Sequence, residues 1–385
     1  EMTSSLVGSE MCIRDRHMTI YFITFFLSVA LLKASAISES KIVGTFFSAL
    51  SIILPSLLAG FRAYSIGTDI RIYGNPVFFG AIRSSSFAEL EFMFQKNSIE
   101  KGYLFLNYLV SRVTPSPQVL YFIIEMIILI FIYASIKKAN IRYGVDKSYC
   151  LMIYYLSFYG ESLNMMRQSI AVAISLYCFF LFLENRFLLS TFFLFLGMSF
   201  HRSIGIVLFV FITYLIIRKV KKKFLFSVLI VLCTVLIMLF SERIIEIVVR
   251  VLGIQRFTDY LVNVSSSGFR INAFIIRAIF LLPFALYWKR FTQTIKDSYF
   301  WSLILILEII IFQLSIINQV FYRFSIYFSV FKIITYSMIY QLPSKIFDQK
   351  VFKIGIIVLL VVLWIYQNVY AGGNEIFPYK FFWNT

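Results

Sequence analysis

The residue type best suited to chemistry in this chain is arginine. With its apolar runs taken as alternating membrane spans, one set of span ends carries Arg62, Arg71, Arg83, Arg112, Arg167, Arg202, Arg243, Arg250, Arg256, Arg270 and Arg323. A guanidinium is planar and permanently charged, so it grips phosphate or carboxylate through two parallel hydrogen bonds, which a lysine ammonium does not. Three of these arginines have polar company. Arg167 lies in NMMRQ (164–168), where Asn164 and Gln168 are four residues apart, a spacing that puts both on one helix face and lets the three bracket an anion. Arg323 follows Asn318 and Gln319, and Arg256 lies in a hydrophilic stretch, 241–271. Three groups can serve as a general base: Asp69 in a Gly-Thr-Asp turn, Glu100, and His201 between two apolar runs, where a titratable side chain is costly to keep. The bland alternative gives each arginine a lipid headgroup or an acidic neighbour, pairs Asp69 with Arg71 and Glu100 with Lys101, and leaves His201 as a helix cap.

The elements that position these groups belong to a membrane protein. The 385 residues are 60% hydrophobic and 14% charged, with a mean hydropathy of +0.84, against about 45 to 50% apolar and about 25% charged in soluble domains. Apolar runs able to cross a core of about 30 Å recur at 19–33, 44–60, 117–136, 148–160, 168–184, 187–200, 203–217, 224–240, 272–288, 299–317, 324–341 and 352–370. Lipid offers the backbone no hydrogen-bond partner, so the expectation is an all-α polytopic protein of about twelve transmembrane helices. Residues 61–116 and 241–271 form its long outer loops. With Lys137, Lys138, Arg142 and Lys147 placed inside, strict alternation gives inner loops 14 Lys and 4 Arg and outer loops 3 Lys and 11 Arg. Lysine alone accounts for topology. The outer arginines oppose the insertion bias, and an anionic substrate of the outer leaflet supplies a reason for them. The formal charge of +17 therefore reads as loop anchoring, and nucleic acid is excluded as a partner.

Four charges fall inside runs: Glu125, Arg277, Glu308 and Lys332. Structural roles are expected for all of them, with Glu308 pairing Lys332 and Arg277 snorkelling. Pro55 and Pro283 are expected to kink their helices. Cys150, Cys178 and Cys233 read as small buried thiols, and with His17 and His201 as the two histidines no metal-ligand spacing exists. No metal or cofactor is expected. Residues 4–16, SSLVGSEMCIRDR, resemble a translated sequencing adapter. Residues 1–17 are thus expected to be a non-native leader, with Met18 the natural start and 18–385 a single polytopic membrane domain.

Read in order, GTDIRIY (67–73), EKGY (100–103), NMMRQSIA (164–171), FHRS (200–203), RFTDY (256–260) and YRFSIYF (322–328) make the chain resemble the EpsG family of bacterial exopolysaccharide and O-antigen polymerases of Wzy type. The resemblance implies a fold similar to the lipid-accessible membrane glycosyltransferases of GT-C type. It also implies polymerisation of polyprenyl-pyrophosphate-linked oligosaccharide repeat units at the outer face of the cytoplasmic (inner) membrane, without metal. Its implied partners are the lipid-linked oligosaccharides, membrane lipids, a flippase and a chain-length regulator. Moving a glycan off a lipid diphosphate creates an oxocarbenium-like centre and an anionic leaving group, so cations are needed at the diphosphate and a base at the acceptor hydroxyl. Arg167, Arg323 and Arg256, with Asn164 and Gln168, take the first role, and Asp69, His201 or Glu100 the second. Outer tyrosines, Tyr73 among them, are suited to stacking on sugar rings. Two other classes compete. A lipid-oligosaccharide flippase would line a central path with cations and show internal repeats, and a membrane acyltransferase would draw its donor from the inner side.

Overall fold

The computed structural model describes residues 2–97, 99–240, 243, 271–316, 319–339, 342 and 349–384. Among the described residues regular structure is helical, and one isolated antiparallel bridge joins Arg62 to Phe381. In chain order the helices are α1 (Met2–Ile37), α2 (Lys41–Gly60), α3 (Asn75–Arg83), α4 (Phe87–Met93), α5 (Lys101–Val113), α6 (Pro117–Tyr143), α7 (Lys147–Ser157), α8 (Tyr159–Asn164), α9 (Met166–Leu183), α10 (Phe187–Phe200), α11 (Val207–Lys219) and α12 (Lys223–Leu239). They continue as α13 (Ile271–Ile279), α14 (Leu282–Leu286), α15 (Trp288–Thr294), α16 (Ser298–Gln313), α17 (Gln319–Ser329), α18 (Lys332–Ile339) and α19 (Gln349–Ile365).

Each of the twelve apolar runs contains helix, but they differ in length. Five helices are long and apolar enough to cross a membrane: Met18–Ile37, Lys41–Gly60, Pro117–Tyr143, Met166–Leu183 and Gln349–Tyr370. Shorter apolar helices occupy Phe187–Phe200, Lys223–Leu236 and Ser298–Gln313. Other runs are broken. The run 148–160 divides into α7 and α8 at Phe158, and 272–288 divides before Pro283, which takes the first turn of α14 because its ring is tolerated there and clashes further in. Cys150 and Cys178 are buried as expected, whereas Cys233 is exposed on α12.

The chain falls into two compact units, one of residues Glu1–Arg202 with Lys350–Thr385 and one of Ser203–Gln349. In the first, α1 packs on α2, α2 on α6, α6 on α9 and α9 on α10. Pro55 in α2 has no N–H to give the Ser51 carbonyl, and that carbonyl accepts instead from the hydroxyls of Ser28 (2.5 Å) and Tyr155 (3.3 Å). Neighbouring helices thus repair the break that the proline makes.

Loops of this unit gather at two ends, as alternation requires. At one end Lys138 pairs with Glu184 (2.6 Å), Lys353 with Asp146 (2.9 Å), and Ser35 donates to the Gly44 carbonyl (2.6 Å). At the other meet residues 61–75, 100–103, 163–168 and 371–382. The first end carries Lys33, Lys41, Lys137, Lys138, Lys147, Lys350 and Lys353 with Arg142 and Arg186. The second carries Arg62, Arg71, Arg83, Arg112, Arg167 and Arg202 with Lys96, Lys101 and Lys380. The division of cation type found by counting is therefore a division between two ends of one packed bundle.

In the second unit, Glu308 on α16 is 1% exposed and accepts from both Lys332 (2.9 Å) and Arg277 (3.0 Å). The expected Glu308–Lys332 pair forms, and Arg277, expected to snorkel, joins it and lies over the Phe312 ring at 3.4 Å.

Candidate functional site

The arginine-bearing end of the first unit is held together by residues that look unremarkable in sequence. Gly67 opens the Gly-Thr-Asp turn with φ at +86°, and a side chain there would lie 2.6 Å from the Leu163 carbonyl oxygen, so both backbone sign and space require glycine. Its N–H donates to the Glu375 carbonyl (3.0 Å), and the Thr68 N–H donates to Asn164 Oδ1 (2.9 Å). Arg62, 1% exposed, donates to the Leu163 carbonyl (2.9 Å) and to the Met166 sulfur (3.2 Å) and sits over Tyr121 at 5.2 Å. One loop is thereby bolted to another. After Asp69 the chain makes a single π-helical turn, Ile70–Gly74, a geometry concentrated at functional positions, and this turn presents Tyr73.

Arg167 is the second residue of α9. Its Nη1 lies 2.6 Å from Glu100 Oε2, its guanidinium covers the Tyr73 ring at 3.9 Å and the Tyr103 ring at 5.8 Å, and the two charged side chains are 12% and 10% exposed. Its Nε is buried with no hydrogen-bond partner among the described residues. A buried donor of a charged group left without an acceptor costs free energy unless something else occupies it. Tyr103 beneath this pair is fully buried. Burial and the neighbouring Asp69 carboxylate push its phenol well up, with Arg167 and Arg62 pulling it down, which places Asp69 in the same electrostatic neighbourhood as Arg167.

The structure brings three expected residues together, Tyr73, Glu100 and Arg167, from three separate stretches of chain, and Asp69 stands at the start of the turn that presents Tyr73. It changes the reading of others. Asn164 and Gln168 do not share a helix face, because Met165 (φ −104°, ψ 59°) breaks the helix between α8 and α9. Asn164 is instead a clamp on Thr68, and Gln168 is buried. Glu100 does not pair with Lys101, which reaches Glu91 (2.5 Å) instead, and Asp69 makes no side-chain cap on the turn that it begins. Arg71 pairs with Glu375. His201 ends α10, where a side chain on Gly102 would collide with Ser199. That close approach of α5 to α10 brings His201 to the same end of the unit as Glu100. Arg323 is exposed on α17 of the second unit, and Arg256 lies outside the described residues.

Sequence reasoning missed the C-terminal segment. Residues 371–382 pair backbone with the stretch leading into the Gly-Thr-Asp turn, through Ala63 N–H to the Lys380 carbonyl (2.8 Å) and Phe382 N–H to the Phe61 carbonyl (2.9 Å), and the hydroxyls of Tyr21 and Tyr379 donate to the Ile376 and Leu58 carbonyls. It missed as well that Glu125, inside α6, accepts from Ser162 (2.8 Å) and Tyr154 (3.0 Å) and so steadies the helix that ends at Asn164. Arg62 and Arg112, counted in the outer arginine cluster, are engaged structurally, Arg112 on the Ala81 carbonyl and the Tyr108 ring.

The model of the EpsG family matches residues 44–381, nearly the whole chain. No curated protein and no solved structure matches.

Proposed function

The chain belongs to the EpsG family, and on that premise we propose that it is a glycosyltransferase that polymerises polyprenyl-pyrophosphate-linked oligosaccharide repeat units into O-antigen, capsule or exopolysaccharide at the outer face of a bacterial cytoplasmic membrane. All twelve apolar runs cross that membrane in this reading, several as broken helices, in an architecture akin to the GT-C glycosyltransferases. The observation that carries it is the Arg167–Glu100 pair, with an unpartnered guanidinium Nε and two tyrosine rings beside the guanidinium.

An arriving diphosphate competes with Glu100 for Arg167 and offers acceptors to the idle Nε as well, so bidentate binding replaces a single contact. Glu100 is released in the same event. The anomeric carbon–oxygen bond to the diphosphate then breaks, a new bond forms to the acceptor hydroxyl, and the hydroxyl proton passes to Asp69 or to the freed Glu100. Arg167 stabilises charge that develops on the leaving diphosphate, where a fixed cation in a partly dehydrated site does most. Tyr73, half-buried, gives a flat face for a sugar while the buried Tyr103 supports the pair from beneath, and His201 is a further contact to the acceptor. For Arg323 and Arg256 as additional diphosphate ligands the support is sequence alone. A flippase that delivers the repeat units and a chain-length regulator are the expected partners.

Surface glycan from a deletion strain tests this. A ladder that collapses to a single repeat is the expected result. Loss of all exported glycan would instead mark a flippase and sink the reading.

A further inference from the structure

The second unit holds a polar cavity of about 390 Å³ that the chemistry above does not use. Two connections meet around it: Ile217, Arg218 and Lys223, where α11 passes to α12, and residues 292–299, where α15 passes to α16. Strict alternation of the apolar runs puts both connections on the side that lysine marks as inner, and the structure brings them around one space. The lining carries three cations, Arg218, Lys223 and Lys296, against one carboxylate, Asp297. The ammonium groups of Lys223 and Lys296 have no hydrogen-bond or ion-pair partner among the described residues.

Asp297 is itself held in place. Its backbone is left-handed (φ 61°, ψ 25°), an uncommon conformation for a residue with a side chain. Its carboxylate accepts from the Tyr214 hydroxyl (3.2 Å), and Arg218 lies over that same ring at 5.6 Å. Asp297 makes no side-chain cap on α16, so the first-turn N–H groups of Ser298 and Tyr299, both on the cavity wall, have no partner within the helix. Three cations, these N–H groups and the Thr294 hydroxyl form a donor set suited to a phosphate. From the cavity towards the apolar runs, α11 exposes Leu215 and Ile216, and α12 exposes Phe224 and Leu225.

We propose that this cavity seats the headgroup of an anionic phospholipid of the inner leaflet, with its phosphodiester on Arg218, Lys223, Lys296 and the Ser298 and Tyr299 N–H groups, and its acyl chains along the exposed faces of α11 and α12. An anionic headgroup suits the excess of cations, whereas the ammonium of a zwitterionic lipid adds a like charge to it. Basic pockets between membrane helices on the cytoplasmic side hold acidic headgroups through this combination of charge and apolar contact. The volume falls in the range of about 300 to 1,000 Å³ usual for ligand sites. The site stands apart from the polymerase reading, because it lies in the other unit from Arg167 and no step of glycan transfer passes through it.

The full-length chain, purified in detergent and titrated with phosphatidylglycerol and phosphatidylcholine in equal amounts, can be weighed intact by native mass spectrometry to read which lipid it retains. Phosphatidylglycerol is expected to be retained in preference, and a diazirine on its headgroup to label residues 292–299. Lys223→Ala combined with Lys296→Ala should lower its affinity about thirtyfold at unchanged melting, since both lysines are exposed. Lys221→Ala combined with Lys222→Ala, at the same connection but off the cavity wall, should bind it as the unaltered chain does. Equal loss in the two double variants would overturn the site in favour of a diffuse basic surface. Undiminished retention in the first double variant, or equal retention of the two lipids, would remove it, and equal competition by inorganic phosphate would reassign the cavity to a soluble anion.

Discussion

Two ion clusters in this chain are both nearly dry, yet they are built to opposite ends. In the second unit Arg277 and Lys332 share one acceptor: a single carboxylate oxygen accepts from both cations, Glu308 is 1% exposed, and the guanidinium lies over Phe312. In the first unit Arg167 gives one nitrogen to Glu100, keeps a buried Nε without an acceptor, and shares its surroundings with Asp69. One cluster is closed and holds helices together. The other is incomplete, and it stands where the chain is least regular, at the Met165 break, the π turn and the glycine-dependent turn at Gly67. Intramembrane charge alone does not separate structure from function here. Nor does an unpartnered buried nitrogen alone, since the structural Arg62 keeps one too; Arg167 differs in belonging to a pair that is 12% and 10% exposed, where Arg62 is 1% exposed.

That contrast can be broken in several ways. Largest in effect, Arg167→Ala is expected to abolish polymer in cells while single lipid-linked repeats accumulate, because loss of a donor to a developing anion costs about a hundred- to a thousandfold in rate. Protein level should hold. Normal long chains in this variant would place Arg167 with the structural arginines. Next, Asp69→Asn and Glu100→Gln should each lower elongation by purified protein, by about a hundredfold or more for the residue that acts as base; a variant that elongates normally eliminates its residue from that role. Glu308→Ala, in contrast, should lower melting of the purified chain, since removing one partner of a buried ion cluster costs about 3 to 5 kcal/mol, with elongation per folded molecule kept. If Glu308→Ala proves stable and inactive, the two clusters have been assigned the wrong way round.

The smallest effect belongs to the lysine-bearing end. Burial alone would raise the Asp146 carboxyl, but Lys353 and the N–H groups of Tyr149 and Ser148 hold it below the usual carboxylate range. A depressed folded pKa gives stability that is present above the unfolded value, near about 3.9, and lost as pH falls through the folded one. Melting temperature should therefore drop below about pH 4, and Asp146→Asn should remove part of that drop along with about 1 kcal/mol of helix capping. An unchanged acid profile in the variant would remove Asp146 as its source.

Much of this was legible in the sequence, for identifiable reasons. Hydropathy located the twelve apolar runs, each of which contains helix, because lipid leaves the backbone no other choice, but it passed over α3, α4 and α5 inside the stretch read as the outer loop 61–116; the separation of lysine from arginine located two ends of a bundle. Arg167, Glu100 and Tyr73 were singled out from scattered motifs and meet in space. The errors came where local rules were asked to settle distant contacts. Helical spacing grouped Asn164 with Gln168, but a break at Met165 that no propensity signals turned Asn164 towards Thr68. Adjacency suggested Lys101 for Glu100 and Arg71 for Asp69, whereas the partners of Glu100 and Arg71 come from 67 and 304 residues away. The clasp formed by residues 371–382 carries no pattern of its own, since it works through backbone groups, which every residue has.

The central claim, that Arg167 grips a leaving diphosphate while Arg277 only braces helices, is tested most directly by a paired lysine exchange. Arg167→Lys and Arg277→Lys would be purified side by side and supplied with lipid-linked repeat units, with elongation rate measured per mole of folded protein. We expect Arg167→Lys to lose elongation by about a hundredfold at unchanged melting temperature and Arg277→Lys to keep it; wild-type elongation by Arg167→Lys would contradict the bidentate role on which the proposed chemistry stands.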